Sequence, residues 1–291
     1  MHALRQQQTI AQPVAVSGFG YWSGLDVTIC FRPAEPNTGL VFVRSDLPGL
    51  PRIPAVVANR FETPRRTTLR AGVATVEMVE HVLAACWGLG IDNCEIEADQ
   101  AELPGCDGSS QAFVEALQTA GLAKQDAARA RLIVHDATRV GDQESWVEAQ
   151  PSDHGGISVE YRLDYGSATA VGRQSLTMDI TPASFATELA AARTFLLQEE
   201  AEWLRGQGLG RRVSPRDVLV FDEQGPIDNE LRFEDECVRH KVLDLVGDLA
   251  LAGCDIVGHF VARRSGHRLN ADLVRALLSE NSVVEQRRKT A

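Results

Sequence analysis

Residues 233–253, FEDECVRHKVLDLVGDLALAG, constrain the fold of this chain more than any other stretch. On a helix of about 100° per residue, His240, Asp244 and Asp248 fall within about 80° of arc, and Lys241 lies beside Asp248. Much of the remaining circumference is apolar, which predicts a largely buried helix. Buried charges need a partner or a metal. We therefore expect an imidazole, two carboxylates and an ammonium to meet on one face of a core helix.

The ends of this helix and one spacing within it carry further information. The acids at 234–236 suit the positive end of a helix dipole, and Gly253 fits a C-terminal cap. His240 and Asp244 are four residues apart, so they can reach one ion from adjacent turns. The same spacing occurs in ordinary ion pairs on solvated helices. Taken alone, the pattern leaves both interpretations open.

Composition excludes several classes of protein. A length of 291 residues allows one large domain or two ordinary ones. The net charge of -11 argues against a nucleic-acid-binding protein, although a small phosphorylated ligand needs only a few local cations. Six cysteines without a CxxC pair indicate reduced thiols. Without a signal peptide or a run of ~18 apolar residues, we expect a cytoplasmic protein with no transmembrane segment.

Hydrophobic patterns divide the chain into two halves, each with strands, a helix near its middle and one near its end. The polar, Ala-rich residues 122–131 mark the expected boundary. Thr181 is expected to cap a helix beginning at Pro182, Asn270 to cap the last helix, and the tail 282–291 to be frayed. The other predicted strands cover 13–32, 38–44, 93–98, 131–136, 145–149, 157–165, 218–222 and 254–264. The other predicted helices cover 76–88, 111–121 and 198–205, and a loop covers 206–217.

The predicted helix 76–88 contains a second chemical feature, the dipeptide Glu80-His81. Neighbours on a helix diverge by about 100°, so both can flank one ion, with the His as a ligand and the Glu as a base for metal-bound water. Alone, this dipeptide is weak, because a histidine at the edge of a core is commoner than a ligand. A site combining His81 with His240 and Asp244 would lie at the junction of the halves.

Several blocks spread over most of the chain carry a family resemblance. They are GFGYWSG near the start, Val79-Glu80-His81 followed by LGIDN, DGSSQAFV, ARTF, ELRFEDE running into VRHKVLDLVGDL, and RSGHRLN. In this order and spacing they resemble the zinc-dependent UDP-3-O-acyl-N-acetylglucosamine deacetylases. That family catalyses the committed step of lipid A synthesis, in which an N-acetyl group is removed.

The resemblance implies a zinc ion bound by His81, His240 and Asp244, with Fe²⁺ able to substitute in the cell. Three protein ligands would leave a position open for water. The resemblance also implies Glu80 as the general base and His267 as the general acid.

Other residues receive supporting roles from the same resemblance. Lys241 and the Thr194 hydroxyl would stabilise the oxyanion, and Asp248 would stabilise the cationic form of the acid. Phe195 begins the part of the chain expected to contact the substrate. Arg264 stands where the family binds the UDP phosphates.

For the fold, the resemblance implies an α+β protein of two similar β-α-α-β sandwich domains with the active site at their junction. The first domain would span 1–125 and the second 130–291. An insertion over about 195–221 would form an apolar passage for the acyl chain. We expect a monomer acting on a small-molecule substrate, an acylated UDP-amino sugar.

Five features depart from the family pattern: Met78 for Thr, Leu196 for Gly, Trp22 for His, Ser145 for a basic residue, and the loop 210–217. All border the expected acyl or nucleotide region, so they bear on substrate identity. Three functions are therefore considered. They are the lipid A precursor deacetylase, a related zinc amidase for another nucleotide sugar or acyl amino-sugar, and a metal- or ligand-binding protein without catalysis. The implied base and acid argue against the third.

Overall fold

A computed structural model describes residues 4–153 and 155–280, with the backbone of Val283–Val284. The described residues form helices and several sheets, two of which contain both parallel and antiparallel pairs, so the predicted α+β class is confirmed. Apart from that last short strand, the tail expected to be frayed lies outside the described residues. Within the described part, no helix combines the length and the apolar character needed to cross a membrane.

The first half contains two helices and the strands that pack with them. The helices are α1 (Glu80–Gly88) and α2 (Gln111–Ala120), and a 3₁₀ turn covers Val57–Asn59. The strands are β1 (Gln6–Ile10), β2 (Val14–Phe19), β3 (Asp26–Pro33), β4 (Leu40–Arg44), β5 (Arg52–Pro54), β6 (Arg60–Phe61), β7 (Thr68–Ala71), β8 (Ala74–Glu77), β9 (Cys94–Ala98) and β10 (Leu122–Ala128).

A five-stranded sheet in the order β2-β3-β9-β4-β5 forms the centre of this half. In β3, alternate residues Val27, Ile29 and Phe31 are buried, as expected for a strand with one face on the core. The apolar side of α2 covers that face, where the rings of Phe31 and Phe113 meet edge to face at 6.4 Å. The sheet thereby supports the helices on one side.

Helix α1 begins later than the predicted residue 76. Ala74–Glu77 instead forms β8, which pairs with β7. Met78 then has a φ of +58°, a left-handed conformation that interrupts regular structure. As a result Glu80 and His81 are the first residues of the helix, facing the neighbouring half.

The described residues of the second half form four helices. These are α3 (Pro182–Ser184) continued by a π-helical turn (Phe185–Leu189), α4 (Gln198–Gly206), α5 (Glu236–Leu249) continued by a 3₁₀ turn (Ala250–Ala252), and α6 (His267–Glu280). The strands are β11 (Arg131–Ile133), β12 (Thr138–Gly141), β13 (Trp146–Gln150), β14 (Ile157–Asp164), β15 (Arg173–Ile180), β16 (Phe195–Leu197), β17 (Leu219–Phe221), β18 (Asp255–Arg263) and β19 (Val283–Val284).

Strand β18 is the middle of the second main sheet, paired antiparallel to β13 and parallel to both β11 and β14. Helix α5 packs on β14 and β15 and also on α1 of the other half. Its buried residues cover most of its circumference, as the sequence predicts. The helix is shorter than 233–253, but Gly253 closes its 3₁₀ extension at a φ of +68°.

Three further predictions can be compared with the structure. Thr181 caps α3, and its side chain accepts from the Ser184 amide. Asn270 is not a cap, because α6 already begins at His267 and Asn270 lies inside it. The insertion 195–221 forms a small unit in which β16 pairs in parallel with β17 and α4 connects them.

The expected boundary stretch 122–131 is not a linker throughout, since residues up to Ala128 form β10 on β1. Each described strand pairs only with strands of its own half. The division into domains near residues 125–130 remains a prediction.

Candidate active site

Three helices bring the predicted site residues together. Helix α1 contributes its first residues, α5 contributes four polar residues from successive turns, and α6 contributes His267 at its start. Helices α1 and α5 approach closely because position 247 is glycine: a Cβ there would collide with the carbonyl oxygen of Glu80. The two halves therefore meet at the residues that the sequence singles out.

His81, His240 and Asp244 form a group whose ligand atoms all lie within 4.8 Å of one another. The Oδ1 atom of Asp244 is 3.3 Å from Nε2 of His240 and 3.6 Å from Nε2 of His81. That oxygen is buried and has no hydrogen-bond partner within the described chain. A buried carboxylate oxygen without a partner is costly unless a cation satisfies it.

The protonation states of this group also suit a metal. The Nδ1 atom of His240 donates to the Ala192 carbonyl at 3.1 Å, which leaves the Nε2 lone pair facing the group. Burial lowers the pKa of His240 to about 3, so the ring is neutral. Burial opposes ionisation of Asp244, but the Lys241 ammonium, which donates to Oδ2 of this carboxylate, holds its pKa well below the usual range. Two imidazole nitrogens and a carboxylate oxygen are a ligand set that fits a divalent transition-metal ion.

Glu80, His267 and Asp248 form a second chain of polar groups beside the first. Oε1 of Glu80 lies 3.8 Å from Nε2 of His267, and Nδ1 of His267 lies 2.9 Å from Oδ2 of Asp248. Burial lowers the pKa of His267, yet the charges of Asp248 and Glu80 raise it to about 9. Burial raises the pKa of Glu80. At neutral pH, His267 is therefore protonated and Glu80 is a strengthened base.

Two residues that sequence reasoning missed complete this chain. Thr67 donates its hydroxyl to Asp248 at 2.6 Å and its backbone N–H to Glu80 at 3.0 Å. Asn270 donates to Asp248 at 2.8 Å. The i, i+3 spacing of His267 and Asn270 could have indicated a shared helix face. No periodic pattern marks Thr67, which lies in an irregular polar stretch.

The remaining predicted residues line one cavity of about 530 Å³, next to the polar groups of Glu80, His267 and Asp248. Phe195 is buried, with its ring 6.5 Å from that of His240. Lys241 donates to Oδ2 of Asp244 at 2.6 Å, opposite the unpartnered oxygen. The backbone N–H of Thr194 donates to the Gly108 carbonyl at 2.7 Å. Arg264 is exposed and lies at the edge of the cavity.

Part of the cavity wall is apolar. Tyr21, Met78 and Val218 form a small buried cluster, against which Leu196 and Val213 pack. The departures from the family pattern all line the cavity, through Trp22, Met78, Ser145, Leu196, and Gly210, Val213 and Ser214 of the loop 210–217. A second cavity of about 680 Å³ shares Tyr165, Lys241 and Arg264 with the first.

Comparison with known proteins agrees with this geometry. The model of the UDP-3-O-acyl N-acetylglycosamine deacetylase family matches residues 7–279. The chain belongs to this family. Curated relatives named UDP-3-O-acyl-N-acetylglucosamine deacetylase include proteins of Shewanella frigidimarina, 40% identical over 283 residues, and Pseudomonas entomophila, 38% identical over 282 residues. Each alignment covers 96% of this chain and 92% of the relative, so membership of the deacetylase family extends over the whole fold.

Proposed function

We propose that this chain is a metal-dependent hydrolase that removes the N-acetyl group of UDP-3-O-acyl-N-acetylglucosamine, the step that commits this sugar to lipid A synthesis. The family and the names of the relatives support the reaction and substrate. One structural observation carries the chemistry: His81, His240 and Asp244 converge beside Glu80 and the His267–Asp248 pair, on one cavity.

His81, His240 and Asp244 would hold the metal, for which we propose Zn²⁺, with Fe²⁺ as an alternative. When bound, such an ion lowers the pKa of a coordinated water and polarises the acetamide carbonyl. Lys241 stabilises the ionised form of the ligand Asp244, because its ammonium donates to Oδ2, the second oxygen of that carboxylate.

Glu80 takes the proton of the attacking water, since it lies next to the ligand His81 and burial strengthens it as a base. His267 is protonated at neutral pH and gives its Nε2 proton to the departing amine. Asp248 keeps Nδ1 of His267 oriented and balances its charge. Thr194 and Lys241 line the same cavity, and we propose that the hydroxyl and the ammonium donate to the developing oxyanion.

Substrate recognition follows from the two cavities. The apolar wall formed by Tyr21, Met78, Leu196 and Val218 suits an acyl chain. Arg264 borders both cavities and offers positive charge to a diphosphate, whereas Arg173 of the second cavity is paired with Asp164. A cytoplasmic, monomeric enzyme remains our prediction.

A second candidate is a related amidase acting on another nucleotide sugar or acyl amino-sugar. It is favoured by one observation, that the departures from the family pattern all lie on the cavity wall and none is a proposed metal ligand. Turnover compared across acyl lengths and sugar headgroups separates the two candidates.

The deciding experiment is Glu80→Gln, assayed for acetate release and for bound metal. The variant keeps the shape of the side chain but cannot accept a proton. We expect full metal content and a kcat lower by about 10²- to 10⁴-fold. Glu77→Gln, three residues earlier and paired with Arg66 instead, is the matched control and should retain activity. A Glu80→Gln variant with an unchanged rate contradicts the proposal.

A further inference from the structure

Thr67 is a fully buried residue that contacts the proposed base and the partner of the proposed acid. Its hydroxyl donates to Oδ1 of Asp248 in the second half, and its N–H donates to Oε2 of Glu80 in the first. Its carbonyl also accepts from the amide of Val79, directly before helix α1, at 3.3 Å. One residue thus connects the start of α1, the base and the partner of the acid.

These bonds determine which carboxylate oxygens remain for the reaction. With Oε2 of Glu80 bound to the Thr67 amide, Oε1 is the oxygen that faces Nε2 of His267 at 3.8 Å. With Oδ1 of Asp248 bound to the Thr67 hydroxyl, Oδ2 is the oxygen that orients Nδ1 of His267 at 2.9 Å. Without the hydroxyl, the Asp248 carboxylate could rotate, and the imidazole would turn with it.

We propose that Thr67 is a positioning residue for the deacetylation, which sets the placement of His267 relative to Glu80 through Asp248. This inference rests on the proposed function. Thr67 does not line the substrate cavity, whereas residues 62–65 just before it do. Its effect therefore belongs to the chemical step and not to substrate binding.

The test replaces the hydroxyl while keeping the backbone donor. Valine has the same shape as threonine but no hydroxyl. For Thr67→Val we expect kcat to fall by about 10- to 100-fold, which is the effect of losing one hydrogen bond to a charged group if the whole loss raises the energy of the transition state. KM should stay within about twofold, and metal content should be unchanged. Thr67→Ser restores the hydroxyl and should recover most of kcat. Thr67→Ala gives the same comparison if valine is not accommodated.

Thr68→Val is the matched control. Thr68 is the next residue, equally buried, and its hydroxyl has no hydrogen-bond partner among the residues described here, so kcat should be that of the wild type. Wild-type kcat in Thr67→Val, or a loss that serine does not recover, overturns the inference, as does a defect confined to KM or to metal content. Glu80→Gln is assayed in parallel: full activity there overturns the proposed function instead.

Discussion

Asp248→Asn should change the pH range in which the enzyme works. Asp248 is fully buried and accepts hydrogen bonds from Thr67, His267 and Asn270. Its negative charge is the largest influence that raises the pKa of His267. The asparagine has the same size, so the change removes charge with little change in packing.

The size of the effect follows from the protonated fraction of His267. In the wild type its pKa is about 9, so about 90% of the rings are protonated at pH 8. If the pKa returns to the ordinary value of about 6.5, only about 3% remain protonated, which is a loss of about 30-fold. At pH 6 the same change costs less than about twofold. The sign is fixed, since a general acid fails when pH exceeds its pKa.

The assay is the pH profile of kcat/KM for acetate release between pH 5 and 10, which reports the groups of the free enzyme. The alkaline limb should move from near pH 9 toward neutral pH in Asp248→Asn. Asp272→Asn, on the exposed side of α6 beside Arg275, is the matched control and should leave the profile in place. An alkaline limb that stays near pH 9 in Asp248→Asn would refute His267 as the titrating acid.

Two further predictions concern stability and the metal. Glu236→Gln leaves the buried Arg193 guanidinium without its charge partner, so the free energy of unfolding in urea should fall by about 3–5 kcal/mol. Glu234→Gln, at an exposed position nearby, is the control and should change this free energy by less than about 0.5 kcal/mol. Equal effects of the two substitutions would disprove the reasoning. Asp244→Asn replaces the charged oxygen that faces both imidazoles with a weaker ligand, so metal analysis should find much less bound ion than in wild type. Asp235→Asn, at the residue just before the same helix, should retain the ion. Full metal content in Asp244→Asn would exclude Asp244 as a ligand.

The sequence predicted those parts of the site that depend on helical periodicity. His240, Asp244 and Asp248 are spaced on one helix, so local geometry alone places them on one face. The start of α1 was less predictable, because residues 76–79 fit a helical pattern but pairing with β7 and the left-handed Met78 keep them out of it. Tertiary pairing overrode local preference there.

The partners of these residues depend on contacts between the halves. Thr67 and Asp248 lie 181 positions apart, so neither spacing nor composition relates them. Asn270 suits a helix cap by residue type, but the helix already begins at His267, and the amide binds Asp248 instead. The residue type of Asn270 indicated a hydrogen-bonding side chain, but only the packing of the helices shows that its partner is Asp248.

The division of the proposed ligands between α1 and α5 has a consequence for how the enzyme is made. His81 leaves the ribosome long before His240 and Asp244, so a partly synthesised chain offers only one of the three proposed ligands, and a single ligand binds an ion weakly. Firm capture of the ion must wait until both helices have folded against each other across Gly247. At the proposed site, metal loading would thus follow the folding of both halves and be a late event in biogenesis.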